Sequence, residues 1–298
     1  MENDEYADTL FKAYLSDIAE RYEDMASEMK MAVKLAHSKN ILLSPSARNS
    51  FSVAFKNLVS ARRSSWRILC SEKQKQAAKG MQNNQHVEEK IQTVEKELLN
   101  FCNDVLDMIN SYILTQDITK NSGYNVEYSI FFLKMKGDYF RYKAEVLKGE
   151  ESETIGKLAH DAYKEATEQA APLPTTNPIK LGLALNYSVF YYEILNDPKE
   201  ACVIARTAFD NAIENLEGLS ETHYRDSTLI MQLLRDNLTL WNSREDNSRI
   251  TEDEREASIE EEEKCWWIKY LVKCIELFYK IILFIELKNI FLTCLQIL

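Results

Sequence analysis

Apolar residues recur at spacings of three and four through most of the first 241 positions, the period of a single buried stripe on an α-helix. Little in the chain interrupts that stripe. Only 7 Gly and 5 Pro occur in 298 residues, so the residues that end helices or build hairpin turns are scarce. The chain is therefore expected to be all-α, a bundle of about nine antiparallel helices over 3–19, 22–37, 50–79, 86–114, 127–148, 151–170, 179–196, 199–217 and 223–241. The breaks between them have local causes. SKNILLSPSARN (38–49) carries Pro45 and cap-forming serines, TKNSGYN (119–125) a Gly and asparagines, APLPTTNP (171–178) three prolines, and Asp197 with Pro198 starts a further helix. With 45% apolar residues the chain can bury a sizeable core.

Past residue 241 the pattern changes. NSREDNSRITEDEREASIEEEEK (242–264) holds ten acidic residues against four basic ones and almost nothing apolar. The expected division is a helical domain over 1–243, an acidic disordered linker over 244–264 and an apolar extension over 265–298. In the extension, Lys269, Lys273, Glu276 and Lys280 share one helical face opposite a broad apolar one, and no 18-residue uncharged run exists. Membrane contact through a surface helix, a partner helix, a tail anchor, plain packing and a misread gene end all stay open for it.

The residue inventory narrows the chemistry. Formal charge is -11, which disfavours general binding to nucleic acid while leaving room for a local basic patch. Cys70, Cys102, Cys202, Cys265, Cys274 and Cys294 form no CxxC pair, and the charged start MENDEYADTL does not read as a secretory leader. The cytoplasm is the expected compartment. His37, His86, His160 and His223 stand at no ligand spacing, so neither a metal nor a cofactor is expected. GxGxxG, a Walker-type loop and a GxSxG elbow are all missing, so no enzymatic chemistry is expected either.

Some of the cations do fall into a pattern. Lys56, Arg63 and Arg67 stand at i, i+7 and i+11, within about 40° of one another around a helix. On spacing alone such a stripe reads equally well as a solvated face. In FFLKMKGDYFRYKAEV (131–146), Lys134 and Arg141 are also seven apart, with Asp138 and Glu145 on the same face. A guanidinium donates two parallel hydrogen bonds to phosphate and a hydroxyl such as that of Tyr142 adds another, so two arginines and a tyrosine suit a dianion. Asp138 and Glu145 are either ordinary helical pairs or the groups that fix arginine rotamers before a ligand arrives. Further on, Asn186 and Glu193 lie seven apart with Leu185 and Val189 alongside. Ile230, Asn237 and Trp241 repeat that arrangement beside Leu229, Leu233 and Leu240. Asparagine offers a donor and an acceptor to an extended peptide, whereas a leucine stripe is usually core.

Through these residues the chain resembles the 14-3-3 family, from about residue 3 to residue 243. The stretches that carry the resemblance are AERYEDM (19–25), NLVSARRSSWR (57–67), LKMKGDYFRYKAEV (133–146), LGLALNYSVFYYEILN (181–196) and DSTLIMQLLRDNLTLW (226–241). The resemblance implies a cup-shaped, grooved helical domain that dimerises and binds phosphoserine or phosphothreonine peptides without catalysis. Its phosphate would be held by Lys56, Arg63, Arg141 and Tyr142, with Arg67 in support. Asn186 and Asn237 would bind the ligand backbone, Lys134, Glu193 and Trp241 would border it, and Leu185, Val189, Ile230 and Leu233 would form the apolar wall. At the dimer interface the resemblance points to Leu15, Ala19, Arg21, Tyr22, Asp24, Ser65 and Glu97.

The chain also departs from the family. In QNNQHVEEKIQTVEKE (82–97), Lys90 stands where an interface tyrosine is usual and Thr93 where a lysine often meets the position of Asp24, so a heterodimer with a related subunit stands beside a homodimer. The segments 38–49 and TQDITKNSGYNVEYS (115–129) are longer than the usual connections, and neither supplies a groove residue. The acidic stretch resembles the family's tail, which can occupy the groove, whereas 265–298 resembles nothing there. The expected function is a phosphorylation-dependent adaptor that clamps, masks or bridges phosphorylated client proteins. The alternative is a helical scaffold for unphosphorylated peptides, membrane-associated through 265–298. An enzyme using Asp138, Glu145 and Glu193 is disfavoured, because Lys134 and Arg141 would hold the first two ionised.

Overall fold

The computed structural model describes residues 5–80, 85–115, 125–215 and 221–247, with 221–223 and 244–247 described by their backbone alone. Among them are nine α-helices: α1 Glu5–Ile18, α2 Tyr22–Ser38, α3 Pro45–Ala78, α4 Gln85–Met108, α5 Val126–Val146, α6 Gly149–Gln169, α7 Pro178–Glu193, α8 Pro198–Ile213 and α9 Glu221–Asn247. No strand occurs among the described residues. The chain divides into two compact units, 1–238 and 239–298; of the second, only 239–247 is described. The apolar segment 265–298, most of the acidic stretch and residues 116–124 lie outside the described residues.

Helix starts follow local chemistry. Ser44, Asn177 and Asp197 each cap a helix whose next residue is proline, with side-chain oxygens accepting from the backbone N–H of Ala47 at 3.1 Å, Ile179 at 2.9 Å and Glu200 at 3.0 Å. Proline loses nothing there, since the first helical N–H has no intrahelical acceptor, and each cap contributes roughly 1 kcal/mol. Asn125 caps α5 in the same way, accepting from the Tyr128 N–H at 2.9 Å. Helix ends use the left-handed conformation: Asn40 and Asn196, both at φ 51°, follow α2 and α7, as asparagine tolerates.

Among the boundaries that differ from the sequence expectation, three stand out. The third helix begins at Pro45 rather than residue 50, because Ser44 and Pro45 are its cap and first turn and not a loop. The fourth ends in a π-helical turn over Ile109–Ile113, closed by the Leu114 N–H donating to the Ile109 carbonyl at 2.7 Å. The ninth continues to Asn247, so 244–247 are helical although they read as linker. A stretch polar in sequence still propagates a helix already nucleated by the turns before it.

Each of the first eight helices packs on its sequence neighbours, and α5 also packs on α7. The core centres on Phe51, Phe55, Phe132, Tyr163 and Phe190, all less than 2% exposed, with Met25, Met29 and Leu98. Each such side chain contributes about 1.5 to 3 kcal/mol by burial. α6 buries small residues, Gly156, Ala159, Ala162 and Ala166. On α5, Gly137 faces the Tyr163 ring so closely that a Cβ there would lie 2.8 Å from it.

Because Tyr163 is fully buried and the atoms met are ring carbons, the ring has nowhere to go. Gly137→Ala is expected to destabilise the fold despite a helix-propensity gain of about 1 kcal/mol, since overpacking costs about 1 to 3 kcal/mol. Urea denaturation of the variant at constant slope checks this, and an unchanged midpoint contradicts it.

Candidate functional site

α5 carries the middle of the site. Asp138 and Arg141, on adjacent turns, are each only 6% exposed, an expensive place for charge unless it is fully partnered. Asp138 is well supplied with donors. Lys134 Nζ donates to Oδ2 at 2.9 Å, the Tyr163 hydroxyl to Oδ1 at 2.5 Å, and Asn186 Nδ2 lies 2.8 and 2.9 Å from the two oxygens. Arg141 Nη2 is 3.4 Å from Oδ1, Arg141 Nε donates to the Tyr163 hydroxyl at 3.2 Å, and Arg141 Nη1 stands 3.6 Å from Glu193. Burial pushes the Asp138 carboxyl up, but Lys134, Arg141 and the Tyr163 hydroxyl outweigh it and hold it below its ordinary range. Burial alone would weaken the Arg141 cation; Tyr163, Tyr142 and Asp138 reverse that and keep it charged.

A second carboxylate organises α3. Glu145 accepts from Arg63 Nε at 2.6 Å and from Arg67 Nε at 2.8 Å and Nη2 at 2.5 Å. Here too burial raises the pKa and the two arginines lower it by more, leaving an ionised group. Arg67 also reaches to 3.9 Å from Glu193, so α3, α5 and α7 are joined through charge. The guanidinium carbons of Arg63 and Arg141 lie 4.3 and 4.7 Å from the centre of the Tyr142 ring.

Some donors remain without partners. Among the described residues Arg63 bonds through Nε only, which leaves both terminal nitrogens, and the Tyr142 hydroxyl makes no hydrogen bond. Lys56, two turns earlier on the same face of α3, is exposed and has no ion pair among the described residues. The network sets Arg63, Arg67, Lys134 and Arg141 against Asp138, Glu145 and Glu193, and Lys56 brings the excess to two positive charges. That excess is the charge of a phosphate monoester dianion.

The other expected site residues fall into three groups. On α7, Leu185 and Val189 are half-buried beside Asn186, whose amide oxygen has no partner among the described residues. On α9, Ile230 and Asn237 are half-buried and Leu229 and Leu233 exposed at 65% and 45%. None of these α9 residues takes part in the charge network, whereas Asn186 joins it through Asp138. α9 is tied down by Ser227, whose hydroxyl donates to the Thr176 carbonyl at 2.6 Å. Trp241 belongs to the second unit, beyond Leu238.

Residues expected at a dimer interface lie mostly on the surface. Leu15 is 44% exposed, next to Phe11, Tyr14 and Ile18 at 60%, 55% and 63%, so α1 presents an apolar face. Ala19, Arg21, Ser65 and Glu97 are exposed, and Tyr22 and Asp24 half-buried. Arg21 pairs with Asp24, while Arg62 pairs with Glu97 at 3.1 Å and Glu23 at 2.9 Å. Asp24 takes its partner from the residue that precedes its own helix.

Tyr163 is the residue that sequence reasoning missed. In HDAYKEA its spacing matches the buried alanines of α6, so it reads as core; only the fold aims its hydroxyl at Asp138. Other chemistry is thin: no group of three or more His, Cys, Asp or Glu among the described residues is suited to hold a metal ion. Burial pushes the Cys102 thiol up to about 12, leaving it inert. No helix among the described residues is long and apolar enough to cross a membrane.

The family model for 14-3-3 protein matches residues 12–242. The chain is similar to a 14-3-3 protein homolog of Encephalitozoon cuniculi, 62% identical over 248 residues that span 83% of this chain and 95% of that protein. It is similar to 14-3-3 protein eta of Homo sapiens, 50% identical over 237 residues, 78% of this chain and 93% of that protein. It is similar also to 14-3-3 protein beta/alpha of Mus musculus, 49% identical over 233 residues, 78% and 90% of the two chains. A family match across most of the length, joined to identity of this order over nearly the whole of each relative, places the sequence without ambiguity: this chain belongs to the 14-3-3 family.

Proposed function

We propose that this protein is a phosphoserine- or phosphothreonine-dependent adaptor of the cytoplasm that clamps, masks or bridges phosphorylated clients. 14-3-3 proteins are non-enzymatic adaptors, and membership of the family supports a phosphopeptide-binding role in general. The observation that carries the specific reading is the set of uncommitted donors on Lys56, Arg63 and Tyr142, beside an Arg141 that buried partners hold still. In this reading Lys56, Arg63, Arg141 and Tyr142 take the phosphate and Arg67 steadies Arg63 through their shared Glu145. Asn186 and Asn237 bind the peptide backbone, Lys134 and Glu193 border it, and Leu185, Val189, Ile230 and Leu233 face its apolar side chains.

Each charge-assisted hydrogen bond is worth roughly 1.5 to 3 kcal/mol, so three of them dominate the neutral contacts and make phosphorylation the switch. In fluorescence polarisation with the full chain, an Arg-Ser-x-pSer-x-Pro peptide is expected to bind at least about a hundredfold more tightly than its unphosphorylated twin. Lys56→Glu with Arg63→Glu is expected to remove that preference; Lys56→Glu alone, at an exposed position, serves should the pair fail to fold. Equal affinity for both peptides would mean a scaffold for unmodified ligands.

The pH dependence has a definite sign. Asp138 and Glu145 are held below the usual carboxylate range and stay ionised near neutrality, so the titrating partner there is the phosphate, whose second proton binds near pH 6. Affinity for the phosphopeptide is expected to fall between about pH 7.5 and 5.5, while that of a sulfate-ester analogue stays flat. Parallel profiles for the two esters contradict this.

The apolar face of α1 supports dimerisation, as homodimer or with a related subunit, which lets two grooves hold two phosphosites of one client and raises avidity by about 10² to 10⁴. Sedimentation is expected to give a dimer for the native chain and a folded monomer for Leu15→Asp with Ile18→Asp. A native monomer, or a variant that stays dimeric, removes α1 from the interface.

A further inference from the structure

We infer that the apolar pocket between α6, α7 and α8 is a second ligand site, built for a small amphipathic carboxylate. The pocket has a volume of about 370 Å³, within the range of small-molecule sites, and uses none of the anion-site residues. Leu183, Ala184 and Tyr187 of α7 and Ile204 and Ala208 of α8 form its apolar wall, and Lys180 is the one charged residue that lines it among the described residues.

Lys180 defines the class of ligand. Its Nζ donates to the carbonyl oxygens of Ala171 at 3.1 Å and Leu173 at 2.9 Å. An ammonium has three donors, so one N–H remains after these two. No carboxylate pairs with Lys180 among the described residues, and burial lowers its pKa with nothing to oppose it. The two carbonyls satisfy hydrogen bonds but do not neutralise the charge. A neutral apolar guest would occupy the wall and leave the ammonium as it is. A phosphate would need several donors where the pocket offers one cation. A carboxylate on a short alkyl or aromatic body answers both features: its body leaves water against Leu183, Tyr187 and Ile204, and its charge meets the third N–H.

Octanoate is a suitable probe and octan-1-ol its uncharged counterpart. Isothermal titration of the full chain with octanoate is expected to show one saturable site per protomer. Ala208→Phe, at a half-buried position on the wall, is expected to abolish that binding. Thr207→Phe, at the exposed rim, is expected to block it as well and serves should the first variant fail to fold. Lys180→Gln is expected to weaken octanoate roughly tenfold, the weight of one charge-assisted hydrogen bond, and octan-1-ol by less than about twofold. No saturable heat with octanoate, or binding that survives both phenylalanine variants, overturns the site. Equal losses for octanoate and octan-1-ol in Lys180→Gln overturn its assignment to a carboxylate.

Discussion

Asp138 is a charge buried in the middle of a helical bundle, and four donors from three helices converge on it: Lys134 and Arg141 of α5, Tyr163 of α6 and Asn186 of α7. Taking a carboxylate out of water costs several kcal/mol, so the arrangement persists only if every donor is in place. The carboxylate therefore constrains its surroundings more than a leucine there would. It sets the angle at which Tyr163 enters, the rotamer of Arg141 and the orientation of the Asn186 amide. Removing one partner would leave a charge without compensation, a larger loss than the bond itself is worth.

Built on that centre, the site has two classes of cation. Arg141, Lys134 and Arg67 have carboxylate neighbours that fix them, through Asp138, Glu145 and Glu193. Lys56 and the terminal nitrogens of Arg63 have none among the described residues. Guanidinium groups crowded together repel one another, and Glu145 relieves that repulsion while leaving the outer fork of Arg63 clear. Such pre-organisation lowers the ordering cost of binding, because the rotamers are set before the ligand arrives. In the proposed reading, such a site binds an anion through position and charge.

Much of this was legible in residue order. The caps at Ser44, Asn177 and Asp197 act over three residues, and the cation spacings on α3 and α5 follow from helix periodicity. What could not be read was orientation. α5 buries residues around most of its circumference, Phe132, Asp138, Tyr139, Arg141 and Ala144 among them, so its charged face is no solvated face at all. Periodicity marks a polar stripe but not whether the stripe meets water or a neighbouring helix. The same limit hid Tyr163, which is a core aromatic by spacing and a hydrogen-bond donor by position. It also hid the need for Gly137, whose missing side chain makes room for a ring 26 residues further along the chain.

By itself the sequence determined the helical class, most helix boundaries and the faces on which Lys56, Arg63, Arg67, Lys134 and Arg141 stand. These are local properties, set by turn chemistry and a fixed rotation per residue. Only the tertiary structure decided which carboxylate holds which arginine, which donors are left over, and that Lys180 lines an apolar pocket. Those outcomes depend on contacts between helices distant in sequence, Arg63 with Glu145 and Tyr163 with Asp138, and no local pattern encodes the packing angle that brings them within 3 Å.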